Sequence, residues 1–154
     1  MTRLLTTGLF SLVLAGMSGW AAAAPPQPAD PPEGFPATAV RFSPCIAKMG
    51  EHWADAKNIT SGPIYGAWQG KPVFTELIVT LDQLQKGFSY VNIRALPGYT
   101  IDHVDLEFEP HGHGGFPVPD YNIHAYYVSP EVQATICPDG PPKAALKAVN
   151  APPR

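Results

Sequence analysis

The chain has 154 residues, 10 lysines and arginines against 13 acidic residues, and a net charge of −3. That balance leaves no basic footprint for nucleic acid and is too weakly acidic to specify a partner by charge. Nineteen prolines and fourteen glycines, with few helix-favouring runs, direct the reading towards strands, turns and loops.

In chain order, MTRLLTTGLFSLVLAGMSGWAAAA sets Arg3 before an apolar run, Leu9–Met17, and then small residues. This is the plan of a secretory signal peptide, with cleavage expected after Ala23. The apolar run is shorter than the ~20 residues of a spanning helix, and no later stretch is long enough to span. The expectation is an exported protein, periplasmic or secreted, with no membrane span once the leader (residues 1–23) is removed. The remaining roughly 130 residues make one domain, large enough to bury a substantial core. Ala24–Pro36 is a proline-rich linker whose one large apolar side chain is Phe35. The folded body runs from Ala37 to Cys137. A proline-rich tail, Pro138–Arg154, holds at most a short helix at Lys143–Val149.

Within the body, AKMGEHWADA around Met49–Ala56 reads as a short helix. Ile64–Trp68 and Val73–Leu81, joined by a turn at Gln69-Gly70, read as a β-hairpin. Leu81–Gly87 predicts one or two helical turns stopped by Gly87, and Phe88–Leu96 predicts a strand followed by a tight turn at Pro97–Tyr99. From His103 onward IDHVDLEFEP alternates strictly. Val104, Leu106 and Phe108 should face the core, and His103, Asp105, Glu107 and Glu109 the solvent or a charged partner. Asn122–Val128 is the last strand, and SPEVQATIC a short closing helix. Five or six short strands separated by turns predict a mainly β fold, an antiparallel sandwich or barrel with one or two short helices.

Cys45 and Cys137 are the only cysteines, one near each end of the body. An even pair in an exported chain is expected to form a disulfide. Neither has a CxxC partner, which argues against a thiolate metal site.

The candidate chemistry lies in HGHGGFPVPDYNIH, His111–His124, which holds three of the five histidines. In an extended segment residues i and i+2 share a side, so His111 and His113 reach one cation, and Asp120, Asn122 and His124 share a strand face. Imidazole is the commonest neutral ligand of zinc, copper, iron and nickel, and the loop between the two groups is long enough to fold them together. A glycine-rich turn carrying solvated histidines is the competing reading. His52, in MGEHW, and Glu76, in the apolar run VFTELIV, join the site only if the fold brings them to it. A buried Glu76 needs a positive partner. Arg94 is the default, and a metal ion the sharper alternative. GxSxG and P-loop motifs are absent.

The segments MGEHW, GPIYG, VFTE and PDYNIHAYY resemble DUF5602, a family of exported bacterial proteins of unknown function. The likeness spans about Pro44 to Val128. His52, Glu76, His113 and His124 match the family pattern, whereas Asp120 and Asn122 stand where it usually has histidine and aspartate. The resemblance implies a mostly β fold, export and assembly into a homo-oligomer, and it supports metal binding without supplying an activity.

The leading expectation is therefore a divalent transition metal, zinc before others, held by His113, His124, Glu76 and His52 with His111 and Asp120 in reserve, in a binding or structural role. A metal-dependent enzyme using the same cluster with an open position and a non-metal, self-assembling envelope protein are the alternatives.

Overall fold

The structure, a computed structural model, describes residues 30–59, 62–112 and 117–142. The expected leader, the first half of the expected linker, the expected Lys143–Val149 helix and His113 lie outside the described residues. Six strands form one sheet: β1 (Ala39–Arg41), β2 (Glu51–Asp55), β3 (Ile64–Trp68), β4 (Lys71–Thr80), β5 (His103–Glu109) and β6 (Asp120–Tyr126). The helices are α1 (Leu81–Gln85) and α2 (Pro130–Gln133). Strand order is β1-β2-β3-β4-β6-β5, every pair antiparallel, so the fold is mainly β as expected. The sheet is open rather than closed into a barrel, with β1 and β5 at its edges.

The β3–β4 hairpin forms where the sequence places it. Gln69 and Gly70 both take positive φ, 52° and 74°, the backbone that a two-residue turn needs to match the twist of its strands. Pro72 and Phe74 pair with Ala67 and Gly66, leaving Val73 as the extra residue of a β-bulge. Helix α1 opens on a capping box: the Thr80 side chain accepts from the Gln83 N–H, and the Gln83 side chain accepts from the Thr80 N–H. Gly87, at φ 77°, stands just past its end. Ser129 caps α2.

Three expectations are corrected. The Met49–Ala56 region is not a helix. Its centre is β2, whose pairing with both β1 and β3 outweighs the helix propensity of its alanines and glutamate. Phe88–Leu96 is not a strand but an irregular, largely exposed connection. It is tied to the sheet through the Tyr90 hydroxyl, which donates to the Ile78 carbonyl at 3.5 Å, and the Leu96 N–H, which donates to the Tyr127 hydroxyl at 3.2 Å. The apolar row of β5 is also not in the core. Val104, Leu106 and Phe108 are 56%, 64% and 47% exposed. The row His103, Asp105, Glu107 and Glu109 instead shares the sheet face of Tyr126, His124, Asn122 and Asp120, its partners in register.

Each sheet face carries a core cluster. On one, Phe74 and Tyr126 pack with Ile46, Met49 and Ile136, and the Cys45–Cys137 disulfide clasps the two covering segments, with Cα atoms 5.9 Å apart. On the other, Phe35 packs with Trp53, Ala39 and Ala67, so the end of the proline-rich segment belongs to the fold. Among the described residues, no helix is long and apolar enough to cross a membrane.

Candidate metal centre

Cross-strand pairing builds the site. Glu76 on β4 stands directly opposite His124 on β6 and Ile64 on β3, and Asp105 on β5 faces His124 from the other side. One row over, His52 on β2 faces Gly66, which faces Phe74. Gly66 has a packing reason to be glycine, since a Cβ there would overlap the Phe74 ring. With no side chain at that position, His52 reaches over β3 towards β4. The Phe74 ring meets both imidazoles edge-on, with centroids 5.4 Å from His52 and 5.0 Å from His124.

Glu76, His52 and His124 are 3%, 6% and 1% exposed. His124 Nε2 lies 3.3 Å from Glu76 Oε1, and His52 Nε2 lies 3.9 Å from Glu76 Oε2. Neither separation is that of a charge-assisted hydrogen bond, about 2.7–2.9 Å. The shorter one matches the roughly 3.3 Å edge between two ligands of a tetrahedral zinc with bonds of about 2.0–2.1 Å. Neither ring nitrogen of His124 has a hydrogen-bond partner. Nδ1 stands 3.8 Å from Glu107 Oε2.

Ser43 anchors the His52 ring. Its hydroxyl donates its single proton to the Pro44 carbonyl at 2.8 Å and accepts from the His52 backbone N–H at 2.8 Å. The same hydroxyl lies 3.1 Å from His52 Nδ1, so one ring nitrogen is tied to an oxygen while Nε2 faces Glu76. A metal ligand whose other ring nitrogen is tied to an oxygen is the usual arrangement for histidine.

The default partner of Glu76 is not used, because Arg94 is exposed in the irregular connection. The reserve ligands are not brought to the site. Asp120 is fully buried on the same face of β6, but four residues from His124, about 13 Å along a strand. His111 is exposed beyond the end of β5, farther away still. Among the described residues, no three histidine, cysteine, aspartate or glutamate side chains are grouped as a complete metal-holding set. His113 lies outside them.

His103 stands apart, stacked on Tyr126 at 4.8 Å, with Nδ1 3.0 Å from Asp102 and Nε2 3.3 Å from Gln133. Burial, reinforced by the carboxylates of Asp105 and Glu107, raises the Tyr126 phenol far above its ordinary range, so it stays protonated. A hollow of about 300 Å³ opens beside it, lined by Asp105, Glu107 and Lys48 among others. His52, Glu76 and His124 do not line it. Sequence reasoning missed Ser43, for which no local signal exists. It read Glu107 as solvated, and Glu107 is half-exposed, with one carboxylate oxygen 3.8 Å from His124 Nδ1.

The chain is similar to a solved structure, that of the hypothetical protein TTHB210 from Thermus thermophilus. The TM-score is 0.52 at 28% sequence identity, over 60% of this chain and 84% of that one. The description of that protein assigns it no activity. No family model and no curated protein matches the chain.

Proposed function

We propose that this is an exported protein of the DUF5602 type that holds a divalent transition metal, zinc first, through His52, Glu76 and His124, with His113 as the fourth ligand. The observation that carries the reading is the buried Glu76 carboxylate flanked by two buried imidazole nitrogens, His124 Nε2 at 3.3 Å, the edge of a tetrahedral zinc, and His52 Nε2 at 3.9 Å. The anchoring of His52 Nδ1 by Ser43, with Nε2 turned to Glu76, supports it. His113 falls in the ten-residue connection between Glu109 and Asp120, which at about 3.3 Å per residue is long enough to fold back along the face. A role in binding or structure is favoured over turnover. The three described ligands are buried, as in closed structural sites, and none of them lines the adjacent hollow. The Cys45–Cys137 bridge is suited to an oxidising compartment, which supports export.

Elemental analysis of the full chain, purified without a histidine tag, tests the proposal. About one equivalent of zinc or a neighbouring transition metal is expected, falling sharply in His124→Ala and unchanged in His103→Ala. A metal-free protein that takes up no zinc at micromolar concentration would end it.

Self-assembly forms a second part of the reading. It is favoured by an edge strand, β5, whose outer row Val104, Leu106 and Phe108 is apolar and exposed.

A further inference from the structure

The far end of the same sheet face carries a different donor set. Asn122 and Asp120 of β6 are both 0% exposed. Asn122 stands opposite Glu107 on β5 and Ile78 on β4, and Asp120 opposite Glu109 and Thr80. Neither Oδ1 nor Nδ2 of Asn122 has a hydrogen-bond partner. Folded proteins rarely leave a buried amide so, and each such case calls for a reason, often an ion or water. Its neighbours do not supply one: Ile78 is apolar, and an ionised Glu107 can only accept, so it offers nothing to Oδ1.

Directly opposed side chains in a sheet have Cβ atoms about 4.5–5.5 Å apart, and same-face neighbours along a strand follow at roughly 6.6 Å. Asp120, Asn122 and Glu109 therefore carry two carboxylates and one amide oxygen on one face, within side-chain reach of a common point. All are hard oxygen donors, without an imidazole or thiolate among them. That is the ligand class of calcium, which accepts mixed carboxylate, amide-carbonyl and water shells at about 2.3–2.6 Å. Magnesium demands a near-ideal octahedron and retains more of its water.

We infer that this end of the β4–β6–β5 face is a second cation site, selective for a calcium-like ion. Asp120 and Asn122 Oδ1 are its buried ligands, Glu109 the carboxylate from the neighbouring strand, and water the remainder. The site is independent of the histidine cluster. Asp120 lies about 13 Å along the strand from His124, and no donor is shared.

Terbium luminescence sensitised by the tyrosines of β6, with calcium as competitor, tests this on the full chain after metal removal. One terbium ion should bind and be displaced by calcium. Asp120→Asn should weaken binding at least tenfold, and Asn122→Asp, which adds a carboxylate in the same shape, should tighten it. His124→Ala should leave terbium binding within twofold while removing zinc, so the two sites fail separately. Absence of terbium and calcium binding by the unsubstituted chain would overturn the inference. So would binding that is lost in His124→Ala but kept in Asp120→Asn. If Asp120→Asn does not fold, the direction of the Asn122→Asp effect decides, and a weakening there counts against the site.

Discussion

Replacing Glu76 by glutamine separates a metal site from a buried ion pair, because the two give opposite results without metal. Glutamine preserves the shape of the side chain and removes its charge. Glu76 is 3% exposed, so its carboxylate forgoes most of its hydration in the metal-free protein. The neutral amide relieves that cost, and the metal-free variant should be within about 1 kcal/mol of the parent, or more stable. Zinc changes the comparison. At a free concentration about 100 times the Kd, binding adds about 2.7 kcal/mol to the parent, which for a body of roughly 100 residues raises Tm by about 10–20 °C. Loss of a charged ligand should weaken binding by at least the roughly 10–100-fold that loss of a group supporting a ligand costs. At the upper end of that range the same zinc concentration would add only about 0.4 kcal/mol to the variant. Differential scanning calorimetry with and without zinc reads all four states. If Glu76 were instead the anion paired with a protonated His52 or His124, the substitution would destabilise the metal-free protein by about 3–5 kcal/mol, and zinc would move neither chain. That pattern would refute the reasoning.

Reduction of the Cys45–Cys137 bridge, which closes a separation of 92 residues, should lower stability by about 4–5 kcal/mol in the chain-entropy limit. Denaturant unfolding measures the loss, and zinc stoichiometry should be unchanged. Leu106→Glu alters a side chain 64% exposed on the outer row of β5. It should change the stability of a single chain by no more than about 0.5 kcal/mol yet lower the molar mass seen by light scattering if β5 joins copies. Tyr65 and Tyr126 are both raised above the ordinary phenol value of 10.0 by burial. For a group raised on folding, the stabilisation is complete below the unfolded pKa and disappears as pH climbs through the folded one. Stability should therefore hold up to about pH 10 and decline above it, with part of the phenolate absorbance appearing only on unfolding.

The sequence determined those features whose physics is local. Gln69-Gly70 between two apolar runs specified the hairpin, because few other residue pairs accept two successive positive φ angles. Thr80 and Gln83 specified the start of α1 through a reciprocal cap. The period of two placed Asp120, Asn122 and His124 on one face of β6. Periodicity also separated the two rows of β5, but not which row would be covered. That depended on strand order, since β6 inserts between β4 and β5 and leaves β5 at an edge with its apolar row towards solvent. Residues 49–56 show the same dependence: alanine and glutamate favour helix locally, and two flanking strands overrule them. The candidate site was legible in its residue types, and His52, Glu76 and His124 do meet. Their meeting depends on long-range register: Glu76 opposite His124 over 48 positions, and His52 reaching across Gly66, a position open because it carries no side chain. The same register separates Asp120 and His111 from that cluster, although they lie closer to His124 in sequence. Distance along a strand is fixed at about 3.3 Å per residue, whereas neighbours across strands are chosen only when the sheet assembles.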